Sequence, residues 1–578
     1  MVYSLARNGF FVAGILFLPL IIGDYWAFQL GLYFLYAIAA LGIGVCWGQA
    51  GFISIGQAAF MGLSAYLSGF VLIHFIHSWL WVVLLLLTMI FPGILAYFIG
   101  VAIFSGRRES GPYFAIITLS FSLLAYQIAT SWYEVTGGFD GLKGIPGLPG
   151  MDQFSDAYYM AAIALIICIG LVYWLINAPV GVLWRAISQN EQRVAYFGFN
   201  TAKVKAFAFG VSGMLAGIAG GVYTSQQNMV SPELCGFLLS TDLVVWAAVG
   251  GRSSLFGPIV GAVFISILAS ELRGKIEYWE VILSAVFIII VLYAPKGMAG
   301  FFEPLKRFKV FSKKGYYDPI PALKKPGKPE TIDLDIKGVN SRIGKVSILN
   351  DLNLKIEKSG IYCIIGPNGA GKTSAFNMIT GELDTHRGIV KLDGREVTGK
   401  PANIMTLDGI GRKFQIPNIF PELSIRDNLQ IALWCGRTNI FSLLKPSIRR
   451  WTTPLLEESK RRFPFLENGG RMAKELSHGQ LQILELVMAL ITESRLLLLD
   501  EPCGGLSSEE TIQVMDVIRW ARDNLNIPIV IIEHDMALVK ELADHVFVLH
   551  QGNLIAEGTV KEIQKNKRVE EVYVGVTK

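Results

Sequence analysis

Apolar and polar positions follow two different rhythms along this chain. Up to about residue 300 the apolar residues come in long runs, near 9–25, 27–47, 58–77, 79–104, 112–131, 158–177, 204–225, 236–250, 255–271 and 279–295. Each is long enough, or nearly so, to cross about 30 Å of hydrocarbon as a helix. The pattern predicts a polytopic α-helical membrane domain of about ten spans over residues 1–300. Beyond residue 330 the rhythm shortens to strand-length apolar runs that alternate with amphipathic helical stretches. That alternation predicts an α/β domain with a largely parallel sheet over 331–578. It is interrupted by a mostly helical subdomain at about 420–490. Between the two halves, residues 301–330 carry eight Lys or Arg, three acids and five prolines. This composition predicts a semi-extended basic linker with affinity for anionic headgroups.

Charge changes the picture by giving the spans a direction. Overall 52% of residues are hydrophobic and 17% charged, with a net charge of +5. Much of that excess lies in the linker, so no nucleic-acid partner is expected. With Arg7 on the cytoplasmic side and sides alternating, Arg107, Arg108, the Arg185 to Lys205 segment, Arg252 and Lys296 all fall inside. The connection carrying Glu134, Asp140, Asp152 and Asp156 falls outside. Basic loops on the inner face are what membrane insertion favours. The run after Arg7 lacks a small-residue cleavage site and is read as a retained first span. Six scattered cysteines form no Cys-x-x-Cys pair and read as small apolar residues in a reducing compartment.

Within the spans, glycine and alanine are dense, notably over 210–221 and 48–69. Small residues let helix backbones approach closely in lipid, and plain packing accounts for 210–221. The stretch Gly48 to Gln57 is polar enough to line a cavity as well. No charged cluster lies at mid-membrane depth, so nothing suggests a proton relay, and energy for transport must come from elsewhere. One inner loop, residues 181–200, repeats Leu183, Ile187, Val194 and Phe197 at helical spacing, with Arg185, Glu191 and Arg193 on other faces. It is either a surface helix or a knob that docks on the second half and carries its motion.

The second half holds the chemistry. An apolar strand, Ile361 to Ile365, runs into Gly366-Pro367-Asn368-Gly369-Ala370-Gly371-Lys372-Thr373, with Ser374 opening a helix. Strand, glycine loop and helix in this order form a P-loop. Backbone N–H groups and the helix N-terminus hold phosphates, Lys372 reaches the outer ones, and Thr373 offers a hydroxyl to Mg²⁺. Gln415 stands at a strand end where metal and attacking water are sensed. Leu476-Ser477-His478-Gly479-Gln480 precedes a helix, and Ser477, Gly479 and Gln480 are placed to meet a γ-phosphate at its N-terminus. The fully apolar Leu496 to Leu499 ends in Asp500, placed to hold Mg²⁺, and Glu501, placed as general base. His534 follows another apolar strand, 527–532, and is placed to fix the water and γ-phosphate.

Taken together these motifs resemble the ATP-binding cassette family. In its terms they are Walker A at 366–373, Q-loop Gln415, signature 476–480, Walker B through Asp500 and Glu501, and switch His534. The resemblance implies ATP and Mg²⁺ as cofactors, and a signature segment that completes the ATP site of a second subunit. The membrane half resembles permeases of the branched-chain amino acid, amide and urea importers through 111–119, Thr136 to Gly141, Asn190 to Arg193 with Gly198, and Val245 to Arg252. Relatives usually carry these parts on separate chains; here they are fused. Segments 411–415, 476–480 and 548–552 look nearer the urea-type ATPase, which puts urea or a short amide ahead of branched-chain amino acids. Implied partners are a second, distinct permease and ATPase and an extracytoplasmic solute-binding protein, at a bacterial inner membrane with the ATPase in the cytoplasm. A non-transport membrane ATPase and an exporter are the alternatives. Three positions depart from the family. The adenine-stacking aromatic is replaced near Ile343, His478 stands for a glycine, and Ser507 stands where aspartate is usual.

Overall fold

The computed structural model describes residues 17–106, 111–149, 155–294, 297–302, 319–323, 325 and 332–574. Most of the expected first span and of the basic linker, together with Arg7, Arg107, Arg108, Asp152 and Lys296, lie outside them. The described chain separates into two units, one of residues up to Ser188 plus Thr201–Tyr316, the other of Gln189–Asn200 plus Tyr317 onward.

The first unit is all helical. Its elements are α1 (Asp24–Ile43), α2 (Gln57–Phe75), α3 (Trp81–Phe104), α4 (Pro112–Ser131), α5 (Ser155–Asn177) and α6 (Pro179–Gln189). After α7 (Glu191–Ala195), which belongs to the second unit, come α8 (Thr201–Gln227), α9 (Phe237–Gly250), α10 (Gly257–Arg273) and α11 (Trp279–Tyr293). Six of the described helical stretches are long and apolar enough to span a membrane: α1 with its extension to Gln49, α2, α3, α4, α5 and α8. The other expected spans, α9, α10 and α11, are helices of 14, 17 and 15 residues. Of the ten expected spans, nine fall among the described residues, and six of these are full-length by this measure. At 1.5 Å per residue α9, α10 and α11 run for about 21 to 26 Å, shorter than the roughly 30 Å of a hydrocarbon core.

Glycines set the interhelical approach. On α8, a side chain at Gly213 would meet the Ala96 Cβ of α3 at 2.7 Å, and on α3 one at Gly93 would meet Met214 Cβ at 2.7 Å. Residues 210–221 are thus packing positions. Between α1 and α2 the helix is interrupted: a π-helical turn, Gly44–Gln49, is followed by irregular chain to Gly56. Irregular backbone within an apolar unit needs partners. Here Ile55 N donates to Thr118 Oγ1 at 3.0 Å, and Gln57 Nε2 to the Ser212 carbonyl at 2.6 Å. Gln49 Nε2 donates to the Ser253 carbonyl at 3.2 Å. The polar residues of 48–57 that suggested a cavity lining are largely spent on supporting this break.

The second unit is built on a six-stranded sheet. In chain order the strands of the unit are β1 (Ile320–Pro321), β2 (Leu334–Ile343), β3 (Val346–Ile356), β4 (Gly360–Ile365), β5 (Arg387–Leu392), β6 (Arg395–Glu396), β7 (Ile410–Lys413), β8 (Trp451–Thr452), β9 (Leu496–Asp500), β10 (Pro528–Ile532), β11 (His545–His550) and β12 (Asn553–Gly558). The main sheet has the order β12-β11-β4-β10-β9-β7, parallel except for β12. A second, antiparallel sheet has the order β3-β2-β5-β6. Helix α12 (Lys372–Ile379) follows β4. The insertion carries α13 (Ile425–Trp434), α14 (Pro454–Arg462) and α15 (His478–Ile491), joined by turns and 3-10 segments, and α16 (Ser508–Leu525) follows β9. One linker fragment, β1, pairs in parallel with β8. All six cysteines are buried, and none is joined in a disulfide.

Gly213→Val is expected to cost roughly 1–3 kcal/mol through overpacking of α8 against α3. Thermal unfolding of the purified chain should show a clear drop. Gly170→Ala, at a glycine with open space around it, should show none.

Candidate nucleotide site and its buried charge cluster

Parallel register aligns the strand ends that carry the chemistry. Ile532 of β10 pairs with Ile364 of β4 on one side and with Asp500 of β9 on the other, and Lys413 of β7 pairs with Leu499. The loops that follow these strands therefore leave the sheet at one level, where ligands of open parallel sheets bind.

After β4 the chain makes the glycine turn. Gly366 has φ +155° and Gly371 φ +97°. A side chain at Gly366 would run into the Leu549 carbonyl, so the turn is open to glycine alone. Lys372 is buried, and its Nζ donates to the carbonyls of Gly366 at 2.8 Å and Pro367 at 3.1 Å. Burial lowers its pKa, and the nearby Glu501 and Asp500 oppose that shift. Asp500 is raised chiefly by burial, against the Arg412 charge and a hydrogen bond from Thr373. Its Oδ1 is buried and has no hydrogen-bond partner among the described residues. An orphaned carboxylate oxygen beside a threonine hydroxyl is a donor set suited to a hard divalent cation. The P-loop residues Gly366 to Ser374 and Asp500 thus form one cluster that fits a nucleotide phosphate tail with its metal.

Glu501 follows in the left-handed region at φ +43°, its N–H donating to the Ile532 carbonyl at 3.0 Å. A non-glycine residue in that region carries strain that surrounding contacts must offset. Those contacts are visible. Gln415 Nε2 donates to Glu501 Oε2 at 2.9 Å, and His534 Nδ1 lies 3.6 Å from Oε1. A cavity of about 330 Å³ is lined by Gln415, Glu501, His534, His478 and Gly505, among others. Gln415, Glu501 and His534 are therefore brought together at the strand ends. Gln415 spends its amide on Glu501 here, rather than on the Asp500 side where a metal contact was expected.

The signature residues are arranged differently. Ser477 caps α15, accepting from Gln480 N at 3.2 Å, while Gln480 Oε1 accepts from Ser477 N at 3.2 Å. Gly479 lies so close to the Glu510 carboxylate that any side chain would collide with it. Glu510 in turn belongs to a capping box with Ser507 at the start of α16. Ser507, the departure from aspartate, thus serves as a helix cap. His478, noted only as a departure, lines the same cavity as Glu501. At the position of the missing aromatic, Ile343 and Val346 face each other across the β2–β3 turn and are 61% and 64% exposed.

Sequence patterning missed a second feature. Asn190 breaks the 181–200 loop by capping α7, its side chain accepting from Arg193 N. Arg193, assigned to a polar face by spacing, is fully buried. Its Nη2 lies 3.3 Å from Glu485 Oε1, with both side chains 0% exposed. Its Nη1 donates to the Arg412 carbonyl at 3.0 Å, and its guanidinium covers the Phe197 ring at 4.7 Å. Lys413 is also fully buried, and Glu485 is the foremost charge opposing the burial that lowers its pKa. Tyr196 OH donates to Glu382 Oε2 at 2.7 Å, and Arg412 Nη1 reaches Thr380 Oγ1 at 3.0 Å. Asn190 Nδ2 donates to Asn418 Oδ1 at 2.6 Å. The signal available in the sequence was Glu485 itself, a lone acid inside the apolar helix Leu481 to Ile491.

Residues 26–292 match the family model described as branched-chain amino acid transport system / permease component, and residues 349–504 match that of the ABC transporter. The high-affinity branched-chain amino acid transport ATP-binding protein BraF of Pseudomonas aeruginosa is 35% identical over 248 residues, 42% of this chain and 97% of that protein. The chain belongs to the ABC transporter family. The corresponding LivG protein of Escherichia coli matches with the same identity and coverage. Among solved structures, a nucleotide-free ATP-binding cassette from an ABC transporter is 27% identical, with a TM-score of 0.36, over 42% of this chain and 98% of that one. This ABC transporter chain fuses a permease to an ATPase, binds and hydrolyses ATP, and is membrane-bound through its apolar helices.

Glu485→Ala would leave Arg193 and Lys413 buried without their shared counter-charge. A cost of roughly 3–5 kcal/mol is expected, visible as a lowered melting temperature of the purified chain.

Proposed function

We propose that this chain is the fused permease and ATPase of an importer for branched-chain amino acids in a bacterial inner membrane, with its ATPase in the cytoplasm. The observation that carries the proposal is the pairing on one chain of a match to a branched-chain amino acid permease with ATPase relatives named for the same solutes. That pairing reverses the order set by the 411–415, 476–480 and 548–552 motifs, which place urea or a short amide first. In domain terms, 1–300 is the permease, 301–330 the linker and 331–578 the ATPase.

Backbone N–H groups of Gly366 to Ser374 and the N-terminus of α12 bind the phosphates, and Lys372 leaves its loop carbonyls to take the outer ones. Thr373 and Asp500 hold Mg²⁺, which neutralises charge on the phosphates when bound. Gln415 joins them once it releases Glu501. Glu501 orients and polarises the attacking water, and His534 fixes that water against the γ-phosphate. Ser477, Gly479 and Gln480 complete the ATP site of a second ATPase subunit. A distinct permease and ATPase and an extracytoplasmic solute-binding protein make up the assembly. The cycle of closure and release reaches the spans through residues 181–200.

Uptake of labelled leucine and of labelled urea, in vesicles holding the chain with all its partners, tests the function. ATP-dependent accumulation of leucine and not urea is expected, and the reverse would overturn the solute assignment. In the same vesicles Glu501→Gln should keep ATP binding and lose turnover by at least about a hundredfold. Undiminished hydrolysis would refute Glu501 as base.

A further inference from the structure

The described part of the linker is held by the helical insertion. Ile320 and Pro321 pair in parallel with Trp451 and Thr452, and Ala322 N donates to the Thr452 carbonyl at 2.9 Å. Lys325 Nζ donates to the Thr492 carbonyl, and its stem lies over Gly436, where an added side chain would sit 3.5 Å from Cε. These contacts fall at the ends of all three helices of the insertion. Thr453, next to the paired Thr452, caps α14. Gln430 of α13 donates from Nε2 to the Trp451 carbonyl at 2.7 Å, and Gly436 lies two residues past α13. Thr492 is the residue at which α15 ends.

At its other end α15 carries the signature. Ser477 caps its first turn, and Gly479 and Gln480 lie in that turn. The 14 residues of α15 make a rod of about 21 Å, and Gln482 to Ile491 are all buried. A rod packed along most of its length turns as one body, so a hold on its last carbonyls sets the aim of its first turn. Lysine suits that hold, because it donates to a carbonyl with no partner inside the helix and meets the negative end of the helix dipole. A strand pairing of two residues is weak in isolation. Here the same chain supplies both strands, which raises their effective concentration for each other.

We propose that Ile320, Pro321, Ala322 and Lys325 form a strap that positions the signature for ATP hydrolysis: by clasping the ends of α13, α14 and α15, it sets how Ser477, Gly479 and Gln480 meet the nucleotide of a second subunit. This assignment rests on the signature residues completing that second site, as proposed above. The chain runs into the strap from the membrane unit, so displacement of the linker is delivered to the signature helix while the P-loop stays as it is. A strap that only stabilised the fold would change the melting temperature or nucleotide binding, and its loss would add to that of Ser477.

The test follows release of labelled phosphate from ATP by the full chain, in the assembly that co-purifies with it, with a fluorescent ATP analogue reporting the folding of each variant. Lys325→Met keeps the stem over Gly436 and loses the cation. Ala322→Pro removes the N–H that meets Thr452, at a position where the preceding residue is already extended. Together they should lower kcat about tenfold or more, while KM for ATP moves less than about twofold. Lys325→Arg keeps a cation at the end of α15 and should lose less than about twofold. On a Ser477→Ala background the paired changes should cost less than about threefold, because the residue they aim is already gone. If the paired variant fails to bind nucleotide, Lys325→Met is read alone in the same cycle, with a loss of about threefold on the parent and none on Ser477→Ala. Unchanged kcat, an effect on KM alone, or equal losses on both backgrounds would overturn the proposal. Should Ser477→Ala hydrolyse ATP at the parent rate, the signature reading fails and the strap's role falls with it. Equal losses beside an impaired Ser477→Ala sink only the strap.

Discussion

The constraint on which the ATPase depends is the parallel register of β4, β10, β9 and β7. A parallel sheet buried on both faces needs near-continuous apolar strands, and Leu496 to Leu499 and Ile529 to Ile532 are almost wholly buried. Polar chemistry is thereby pushed to the strand ends. There the pairing of Ile532 with both Ile364 and Asp500 puts the glycine loop, the candidate metal-binding carboxylate and the candidate base on one edge. The cost appears immediately afterwards, where Glu501 is forced to φ +43° and needs Gln415 and His534 around it.

From that edge, a second set of buried polar contacts runs back through β7. Arg412 and Lys413 are buried at the end of a strand and need carboxylates. Glu382 serves the first at 3.3 Å and Glu485 faces the second. Arg193 enters this set from a segment that lies, in sequence, among the membrane helices. In the membrane unit the same demand for polar satisfaction appears as the broken stretch before α2, where Thr118, Ser212 and the Ser253 carbonyl take up polar groups of Gln49, Ile55 and Gln57. In both places irregular or charged chain is tolerated because specific partners meet it.

Much of this was legible in the residue pattern, and the exceptions have physical causes. The glycine loop, the acid pair ending an apolar strand, and His534 are local motifs whose geometry follows from strand, turn and helix order. Helix positions in the membrane half were readable from hydropathy within a few residues. The lengths of α9, α10 and α11 were not, because an apolar run of 14 residues such as Phe237–Gly250 matches the hydropathy pattern of a span while being shorter than a full-length one. Arg193 was misplaced because periodicity sorts residues by polarity, and a guanidinium paired with a carboxylate distant in sequence violates that sorting. Its partner Glu485 carried the only local hint. The engagement of Gln415 with Glu501, and of His478 with the same cavity, depends on loop geometry that no periodicity encodes.

On the proposed function, ATP consumed at these strand ends moves solute through the attached helices. The most direct measurement follows ATP hydrolysis and internal labelled leucine together, in the same sealed vesicles containing the complete assembly. The two should rise in a fixed ratio and stop together when nucleotide is exhausted. Steady hydrolysis with no gain of label inside would contradict the claim.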